Sequence, residues 1–422
     1  MPITPLDIEQ EFRAVLAPDS IRAATASDAV CGMQPRLVLE PANELQLAAA
    51  LRLANDGGLA VITRGGGTKL SWGNPPQRAD LILSTARLDK IIEHVWADLT
   101  VSVEAGCTIQ KLQSALARHG QRLAFDPLWP EQATIGGVLS TNDSGSLRLR
   151  FGPLRDLIIG VTIALADGTL ASSGGKVVKN VAGYDLPKLV TGALGTLGVI
   201  TRAVFRVHPL PQHTKTLSMS AGNLEKMQRL ILQVQDSQLA NTALQARIAY
   251  DAEPVVDILF EGTEAGIAAQ ETQFRELAGT AVVREGSASV WSASQERWNS
   301  VDSAAIAVAK ITALPAAIAR TIEIVQRIAG SRNAQWKLTM QAIGIGLLQL
   351  QSALEHLHAT LSELRRELEG AGGSLVIHQR PATLPPMDSW GQPGDALSLM
   401  RAVKNQFDAK STLNPGRFVG GI

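Results

Sequence analysis

The chain has 422 residues, of which 45% are apolar and 18% charged, so it is too long for a peptide hormone, a lone binding module or a disulfide-rich miniprotein. Its 39 Lys and Arg residues balance its 39 Asp and Glu residues, and this balance disfavours nucleic acid as a partner. No apolar stretch reaches the roughly 18 residues that span a bilayer, and the N-terminus lacks a signal-peptide pattern. We therefore expect a cytoplasmic enzyme-sized protein without a transmembrane segment.

The first half of the chain alternates helices and strands. Its hydrophobic periodicity predicts a helix over 5–16, a strand at 37–40, a helix from 43 to 55, strands at 59–63, 81–84 and 99–106, a helix over 109–118 and a hairpin over 157–172 that turns at Asp167 and Gly168. Cys31 and Cys107 are too few to build a disulfide framework or to hold an iron–sulfur cluster alone. Both are expected to be reduced, with Cys107 packed in the interior.

The sequence texture changes near residue 212, which indicates a domain boundary. Beyond it the pattern predicts helices over 223–238, 263–278, 347–368 and 396–407, strands at 246–250, 255–262 and 374–380, and a Pro-rich loop over 381–395. The predicted fold class is thus α+β.

Three glycine-rich segments lie between residues 60 and 200. The first, Arg64 to Lys69, directly follows a strand, where a backbone without side chains can approach a phosphate and point several N–H groups at it. The second spans 134–146 and alternates glycines with small hydroxyl and amide side chains. The third spans 176–201 and contains the sequence KNVAGYDL followed by GALGTLGVIT.

Two common nucleotide motifs do not fit these segments. A Walker loop is disfavoured because Gly175 and Lys176 are followed by Val177 and lack the upstream glycine. A Rossmann fingerprint is disfavoured because the glycines at 192, 195 and 198 lead into a strand and not into a helix.

The order of RGGGT, VEAGCTI, TIGGVLSTNDSG, KNVAGYDLPKLVTGALGTLGVIT and LNPGRF resembles the PCMH-type FAD-binding oxidoreductases of the vanillyl-alcohol oxidase class. Within that class, it is most similar to the FAD-binding subunit of glycolate oxidase. The predicted organisation starts with an N-terminal helical segment over 1–29. The resemblance implies an FAD domain over 30–211 with subdomains of about 30–70 and 71–211, an α/β cap domain with an antiparallel sheet over 212–385, and a C-terminal segment over 386–422 that returns to the FAD domain.

The same resemblance assigns the cofactor residues. The FAD pyrophosphate would be held by Arg64, Gly65, Gly66, Gly67 and Thr68. The diphosphate and flavin would be lined by Thr134, Gly136, Gly137, Ser140, Thr141 and Ser144. Gly195, Gly198 and Ile200 would run along the cofactor, and Asn414 would lie near the flavin edge.

Two departures from the family pattern matter. Many relatives tether FAD through a histidine in the first glycine loop, whereas this loop carries Thr68 and Lys69, so non-covalent FAD is expected. Relatives that oxidise 2-hydroxy acids themselves carry a set of metal-binding histidines in the cap, which is missing here, so no metal site is expected.

Oxidation of a 2-hydroxy acid needs a cation for the carboxylate and a base for the hydroxyl proton. His378 and Arg380 follow one another at strand spacing, which predicts that both side chains lie on one face. Tyr184 and Lys179 are the alternatives for a polar group near the flavin. Ordinary packing remains the competing interpretation for each of these side chains.

The sequence therefore predicts an FAD-dependent oxidoreductase acting on CH–OH groups, as the flavoprotein subunit of a complex like glycolate oxidase. Its expected partners are a small 2-hydroxy acid, a second flavoprotein subunit and an iron–sulfur subunit, through which it could sit at the inner membrane. One alternative is an autonomous FAD oxidase of another alcohol or 2-hydroxy acid. Another is a non-catalytic FAD-containing assembly subunit.

Overall fold

The computed structural model describes residues 5–175, 185–298 and 305–422. In these ranges the helices are α1 Pro5–Val15, α2 Glu44–Asp56, α3 Ile109–Ala117, α4 Ile135–Thr141, α5 Arg148–Phe151, α6 Leu154–Leu157, α7 Leu186–Val190, α8 Leu224–Asp236, α9 Glu264–Ala278, α10 Ile318–Gly330, α11 Leu354–Gly370 and α12 Leu397–Phe407. The strands are β1 Ile21–Ala23, β2 Leu37–Leu39, β3 Val61–Arg64, β4 Leu81–Ser84, β5 Ile91–Val95, β6 Thr100–Glu104, β7 Gln121–Arg122, β8 Ile158–Ala164, β9 Leu170–Gly174, β10 Val199–Arg206, β11 His208–Pro209, β12 His213–Ser220, β13 Ala243–Ala249, β14 Val255–Gly262, β15 Val283–Glu285, β16 Ala305–Thr312, β17 Gln335–Gln341, β18 Ile345–Ser352 and β19 Ser374–Gln379.

These elements form two units. Unit 1 contains residues 1–144, 153–210 and 392–422, and unit 2 contains residues 145–152 and 211–391. The longer segment of unit 2 begins at residue 211, close to the change in sequence pattern near residue 212. The α+β class is confirmed, since helices occur with mainly antiparallel sheets in both units.

Unit 1 is built on two main sheets. The first has the strand order β1-β2-β4-β3, in which β2, β4 and β3 run parallel. The second is antiparallel, with the order β5-β6-β10-β8-β9. The first sheet extends to Ser84 at the end of β4, beyond the subdomain limit of about residue 70 that the sequence suggested.

Local signals in the sequence explain the element boundaries of unit 1. Helix α2 begins after Asn43, whose side chain accepts a hydrogen bond from the backbone of Gln46. The β8–β9 hairpin turns at Gly168, which has a φ of +82°, a conformation that suits glycine. The side chain of Asp167 accepts from the backbone N–H of Thr169 and closes the same turn.

Unit 2 contains an eight-stranded antiparallel sheet with the order β15-β12-β14-β13-β17-β18-β16-β19. Its apolar core combines residues of these strands with the buried faces of α8, α9, α10 and α11. The antiparallel sheet that was expected in this part of the chain is therefore confirmed. Elements β16, α10 and β17 were not assigned from the sequence.

One sequence assignment was wrong. A single helix was expected over 347–368, but residues up to Ser352 form β18, and helix α11 begins only at Leu354. Strand β18 pairs with β16 on one side and with β17 on the other, so its apolar residues are buried by cross-strand packing. Its Leu and Gln residues also fit a helical period, and only the neighbouring strands decide between the two structures.

The two cysteines are free thiols, and Cys107 is completely buried, as expected. Burial raises the pKa of the Cys107 thiol to about 11, which keeps it protonated and unreactive near neutral pH. None of the helices in the described part of the chain combines the length and the apolar character needed to cross a bilayer.

Candidate functional site

The three glycine-rich segments come together around one cleft in unit 1, the third of them through residues 194–200. The cleft is partly open to solvent. Its lining residues are Thr63, Arg64, Gly65, Gly66, Gly67, Thr68, Lys69, Leu70, Thr85, Thr134, Gly136, Gly137, Ser140, Thr141, Leu194, Gly195, Gly198, Val199, Ile200 and Arg417.

The parallel strands of the first sheet set one wall of the cleft. Arg64 at the end of β3 is in register with Ser84 at the end of β4, so the loops that follow both strands leave the sheet at the same edge. This is the carboxyl edge, where parallel sheets commonly bind ligands. Thr85, the first residue after β4, lines the cleft for this reason and donates its backbone N–H to the Arg64 carbonyl.

The first glycine loop presents unused backbone donors. In the part of the chain that the structure describes, the N–H groups of Gly65, Gly66, Gly67 and Thr68 donate no hydrogen bond to another protein group. Four successive free donors beside a cleft are suited to bind an anion such as a pyrophosphate. Gly67 has a φ of +75°, which a residue with a side chain adopts only under strain.

Close packing of the loop requires two of its glycines. A Cβ atom on Gly65 would lie 2.1 Å from Oγ1 of Thr134, and one on Gly66 would lie 1.8 Å from the carbonyl oxygen of Gln132. Both distances are far below contact distance. The loop therefore packs against the segment that leads into α4 with no space for a side chain at Gly65 or Gly66. Through these two glycines the first and second glycine-rich segments are in direct contact.

The first backbone N–H groups of helix α4 donate hydrogen bonds to other groups of the protein. Thr134 is its N-cap, with Oγ1 accepting from the backbone of Gly137 at 3.4 Å. The N–H groups of Ile135 and Gly136 donate to the carbonyls of Cys107 and Ala105. The helix therefore contributes side chains and glycine surface to the cleft, with these two donors already occupied.

Three cationic side chains, Arg64, Lys69 and Arg417, line the cleft. Two of them, Arg64 and Lys69, are paired with carboxylates that lie outside the lining. Arg64 is held by Asp28, with 2.7 Å between Nη1 and Oδ1. Asp28 also binds Arg22, and the Arg22 hydrogen bonds, together with those from Thr25 and Arg64, hold the pKa of this carboxyl well below its usual range.

The other two cations are buried. Lys69 pairs with Asp143 at 3.1 Å, and its ammonium lies 5.4 Å from the ring centre of Trp129. Arg417 donates to the carbonyls of Leu70 and Trp72, and burial lowers the pKa of its guanidinium from the usual value. An arginine nevertheless stays protonated in proteins, so the cleft keeps this charge.

The structure brings together most of the residues that the sequence predicted for the cofactor. All of them line the cleft except Ser144 and Asn414. Ser144 lies three residues beyond the end of α4, outside the lining set. Asn414 is fully buried and connects two lining residues, because its Nδ2 donates to Oγ1 of Thr63 at 2.8 Å and to the carbonyl of Gly195 at 3.1 Å.

Sequence reasoning missed some lining residues, namely Thr63, Leu70, Thr85, Leu194 and Arg417. Thr85 follows a parallel strand at the same edge as Arg64, which is a signal that a strand alignment could have used. Arg417 closes the motif that contains Asn414. Asp28, which fixes Arg64 from 36 residues away, carries no local signal.

The predicted substrate residues belong to unit 2 or lie outside the described residues. His378 is buried at a bulge between β19 and β16, and its ring stacks on Trp298 with centres 6.3 Å apart. Arg380 follows the end of β19, so the strand alternation proposed for the pair stops before it, and its Nη1 donates to the Pro385 carbonyl. Tyr184 and Lys179 lie outside the described residues.

Within residues 5–175, 185–298 and 305–422, no group of three His, Cys, Asp or Glu side chains is arranged to hold a metal ion. His356 and His358 both lie on α11.

Comparison with known proteins identifies the domain. Residues 35–174 match the family model described as FAD binding domain. The chain is 36% identical over 200 residues to a D-lactate dehydrogenase of Archaeoglobus fulgidus, a match that covers 47% of this chain and 44% of that protein. It is 31% identical over 227 residues to glycolate oxidase subunit GlcD of Bacillus subtilis, covering 52% of this chain and 48% of that protein. The chain thus spans about half the length of these relatives.

A solved structure extends the likeness in fold to nearly the whole chain. The structure of p-cresol methylhydroxylase with bound substrate superposes with a TM-score of 0.79 at 15% identity and covers 98% of this chain and 97% of that one. Residues 35–174 thus match the FAD binding domain family, in a chain whose fold is like that of p-cresol methylhydroxylase.

Proposed function

We propose that this chain is the FAD-binding subunit of a cytoplasmic complex that oxidises a small 2-hydroxy acid and passes the electrons to a partner. The observation that carries the proposal is the cleft, which combines four free backbone donors with three cationic side chains, two of them paired with carboxylates outside the lining. Its chemistry suits a dinucleotide with a pyrophosphate, and the matched FAD binding domain supplies the identity of that dinucleotide. Relatives named for glycolate and D-lactate support the substrate class.

Different lining residues would bind different parts of the cofactor. The loop from Gly65 to Thr68 would bind the pyrophosphate through its N–H groups, with Arg64 nearby as a counter-charge. Ser140 and Thr141 on α4 would offer hydroxyl groups to the rest of the cofactor. Bound FAD supplies the acceptor for the hydride that leaves the substrate carbon.

The conversion of a 2-hydroxy acid into a 2-oxo acid removes one hydride and one proton, so the protein must also accept a proton. Unit 2 corresponds to the cap domain in this proposal. His378 is the proposed base, Arg380 the proposed cation for the carboxylate, and Tyr184 an alternative polar group beside the flavin. A second flavoprotein subunit and an iron–sulfur subunit are the proposed partners.

The proposal is tested with an anaerobic visible spectrum of the purified chain, before and after addition of glycolate or D-lactate. We expect a flavin spectrum that persists in the isolated chain and bleaches once the partner subunits are present. Bleaching in the isolated chain would favour an autonomous dehydrogenase and would make His378→Asn the next variant to measure. A chain without flavin, even after incubation with FAD, would contradict the proposed function.

We expect FAD to be released from the protein when the protein is denatured. Thr68 and Lys69 stand where many relatives carry a tethering histidine, and Lys69 is engaged with Asp143. After acid precipitation we therefore expect all FAD in the supernatant, measured by its absorbance against the flavin content of the native protein. Yellow protein in the pellet after denaturing washes would show a covalent link and contradict this prediction.

A further inference from the structure

A buried ion pair links the C-terminal helix to the cleft without lining it. Lys404 on α12 and Asp408 just beyond it are 6% and 2% exposed, with 2.6 Å between Nζ and Oδ2. Nζ also donates to the carbonyls of Thr196 at 2.8 Å and Leu413 at 3.0 Å. All three ammonium N–H groups are thus used, two of them on backbone carbonyls. Burying such a charge costs free energy unless all its partners are kept. The positions of these carbonyls and of the carboxylate relative to Nζ are therefore tightly constrained.

One of those carbonyls belongs to the third glycine-rich segment. Thr196 lies between Gly195 and Gly198, both of which line the cleft. The neighbouring carbonyl, that of Gly195, accepts from Nδ2 of Asn414. Two successive carbonyls are therefore held by side chains from the C-terminal part of the chain. Because a trans peptide is planar with its N–H opposite its C=O, these contacts fix the orientation of both peptide groups.

The same side chains tie this segment to the first sheet. Oδ1 of Asn414 accepts from the backbone of Thr63, and its Nδ2 donates to Oγ1 of the same threonine. Gly195, with a φ of +69°, has no room for a side chain, since a Cβ atom would lie 2.6 Å from Oγ1 of Thr63 and 2.7 Å from Nδ2 of Asn414. The end of β3, the third glycine-rich segment and the C-terminal residues are thus joined in one hydrogen-bond network.

Asp408 belongs to the same hydrogen-bond network. Its carboxylate accepts from the backbone N–H groups of Thr412 and Leu413 in addition to Lys404. It therefore fixes the path of the chain into Asn414. Removal of either charge would release contacts on both the C-terminal chain and the glycine segment.

We propose that Lys404, Asp408 and Asn414 are positioning residues that set residues 195–198 in the cofactor-binding conformation, so that the C-terminal segment determines the affinity for FAD. The proposal rests on the assignment of the cleft to FAD. A purely structural role would instead change the stability of the protein without changing how its folded form binds FAD.

The test compares the variant Lys404→Met/Asp408→Leu with the wild-type full chain. The double change removes both buried charges together, so neither is left unpaired. It also removes the donor to the carbonyls of Thr196 and Leu413 and the acceptor for the N–H groups of Thr412 and Leu413, which lowers stability. The control is Lys410→Met, which removes an exposed lysine that donates to the Asn55 carbonyl. For each protein we would measure the melting temperature of the apoprotein, the Kd for added FAD and amide deuterium uptake in residues 192–198.

We expect the double variant to bind FAD at least about 10-fold more weakly, an effect comparable to that of groups that orient the ligands of a metal site. Its apoprotein should melt below the wild type but stay folded at the temperature of the Kd measurement, and it should exchange faster in residues 192–198. Lys410→Met should match the wild type in all three measurements. A folded double variant with the wild-type Kd would overturn the proposal. A wild-type chain that binds no FAD would instead overturn the proposed function.

A second variant covers the case in which the double variant does not fold. Lys404→Gln/Asp408→Asn removes both charges but keeps an amide donor at position 404 and an amide oxygen that can accept hydrogen bonds at position 408, so no buried charge is left unpaired. We expect its affinity for FAD to fall by a smaller factor than in Lys404→Met/Asp408→Leu. A wild-type Kd in a folded Lys404→Gln/Asp408→Asn protein would likewise contradict a positioning role.

Discussion

A chain with aspartate in place of Gly137 should contain no FAD. Gly137 lines the cleft on α4, and a Cβ atom there would meet only Oγ1 of Thr134, at 3.3 Å. A Cβ atom therefore needs only a small shift of Thr134, and a carboxylate attached to it would stand among groups that are expected to bind phosphate. Two like charges about 5 Å apart at an effective dielectric constant of about 20 repel by about 3 kcal/mol. That energy corresponds to an affinity about 100-fold lower.

Asparagine at the same position separates charge from size. Gly137→Asn has the shape of Gly137→Asp without the negative charge, and Gly137→Ala adds only the Cβ atom. We expect the ratio of flavin to protein to be near that of the wild type for Gly137→Ala, reduced for Gly137→Asn and near zero for Gly137→Asp. Equal flavin contents in the Asp and Asn variants would show that no phosphate binds beside this glycine.

Gly66 would be a poorer position for this test. A Cβ atom there would lie 1.8 Å from the carbonyl oxygen of Gln132, so even Gly66→Ala displaces the loop. The sequence indicates that glycine at this position lets the backbone approach an anion. The structure adds a different requirement, the contact between the loop and the segment before α4, and loss of flavin in a Gly66 variant would not distinguish the two.

The local parts of the site could be predicted from the sequence. The first loop follows a short apolar strand, and Thr134 precedes a helix in a position that is typical of an N-cap. Such signals depend on neighbours within a few residues. They indicated the glycine-rich segments that line the cleft, and the resemblance to a family supplied the order in which these segments would surround a cofactor.

The contacts that support these segments could not be predicted in the same way. Lys404 lies 208 residues from Thr196, and its side chain would be interpreted as exposed charge on an amphipathic helix. Strand β18 was mistaken for a helix because its identity depends on β16 and β17 on either side. In each case the deciding interaction is made by residues far away in the chain, for which a sequence pattern has no spacing rule.

Replacement of Asp28 by alanine should destabilise unit 1 strongly and weaken its binding of FAD. Asp28 accepts hydrogen bonds from the guanidinium groups of Arg22 and Arg64 and from the backbone and hydroxyl of Thr25. Removing one partner of such a buried charge cluster typically costs about 3 kcal/mol. Arg64 would also lose the group that holds it beside the cleft. Urea unfolding of the apoprotein and the Kd for FAD measure the two effects separately.

The pH dependence of stability tests whether the carboxylate is responsible. Since the Arg22 contact and its neighbours lower the pKa of Asp28 in the folded protein, its stabilising effect is fully present above the unfolded pKa of about 3.9. The effect is lost as the pH falls below that value toward the folded pKa. The difference in unfolding free energy between the wild type and Asp28→Asn should therefore be constant from pH 7 to about 5 and shrink below about 4.

A matched control is available at Asp19, which is 68% exposed and pairs with Arg87 at 3.1 Å. Asp19→Asn should change the unfolding free energy by less than about 0.5 kcal/mol, because an exposed ion pair is solvated and contributes little. If Asp28→Ala were as mild as this control, the network around Arg64 would not be a significant support of the cleft. A large loss of stability in Asp28→Ala with an unchanged Kd would show that Arg64 needs no anchor to serve the cofactor.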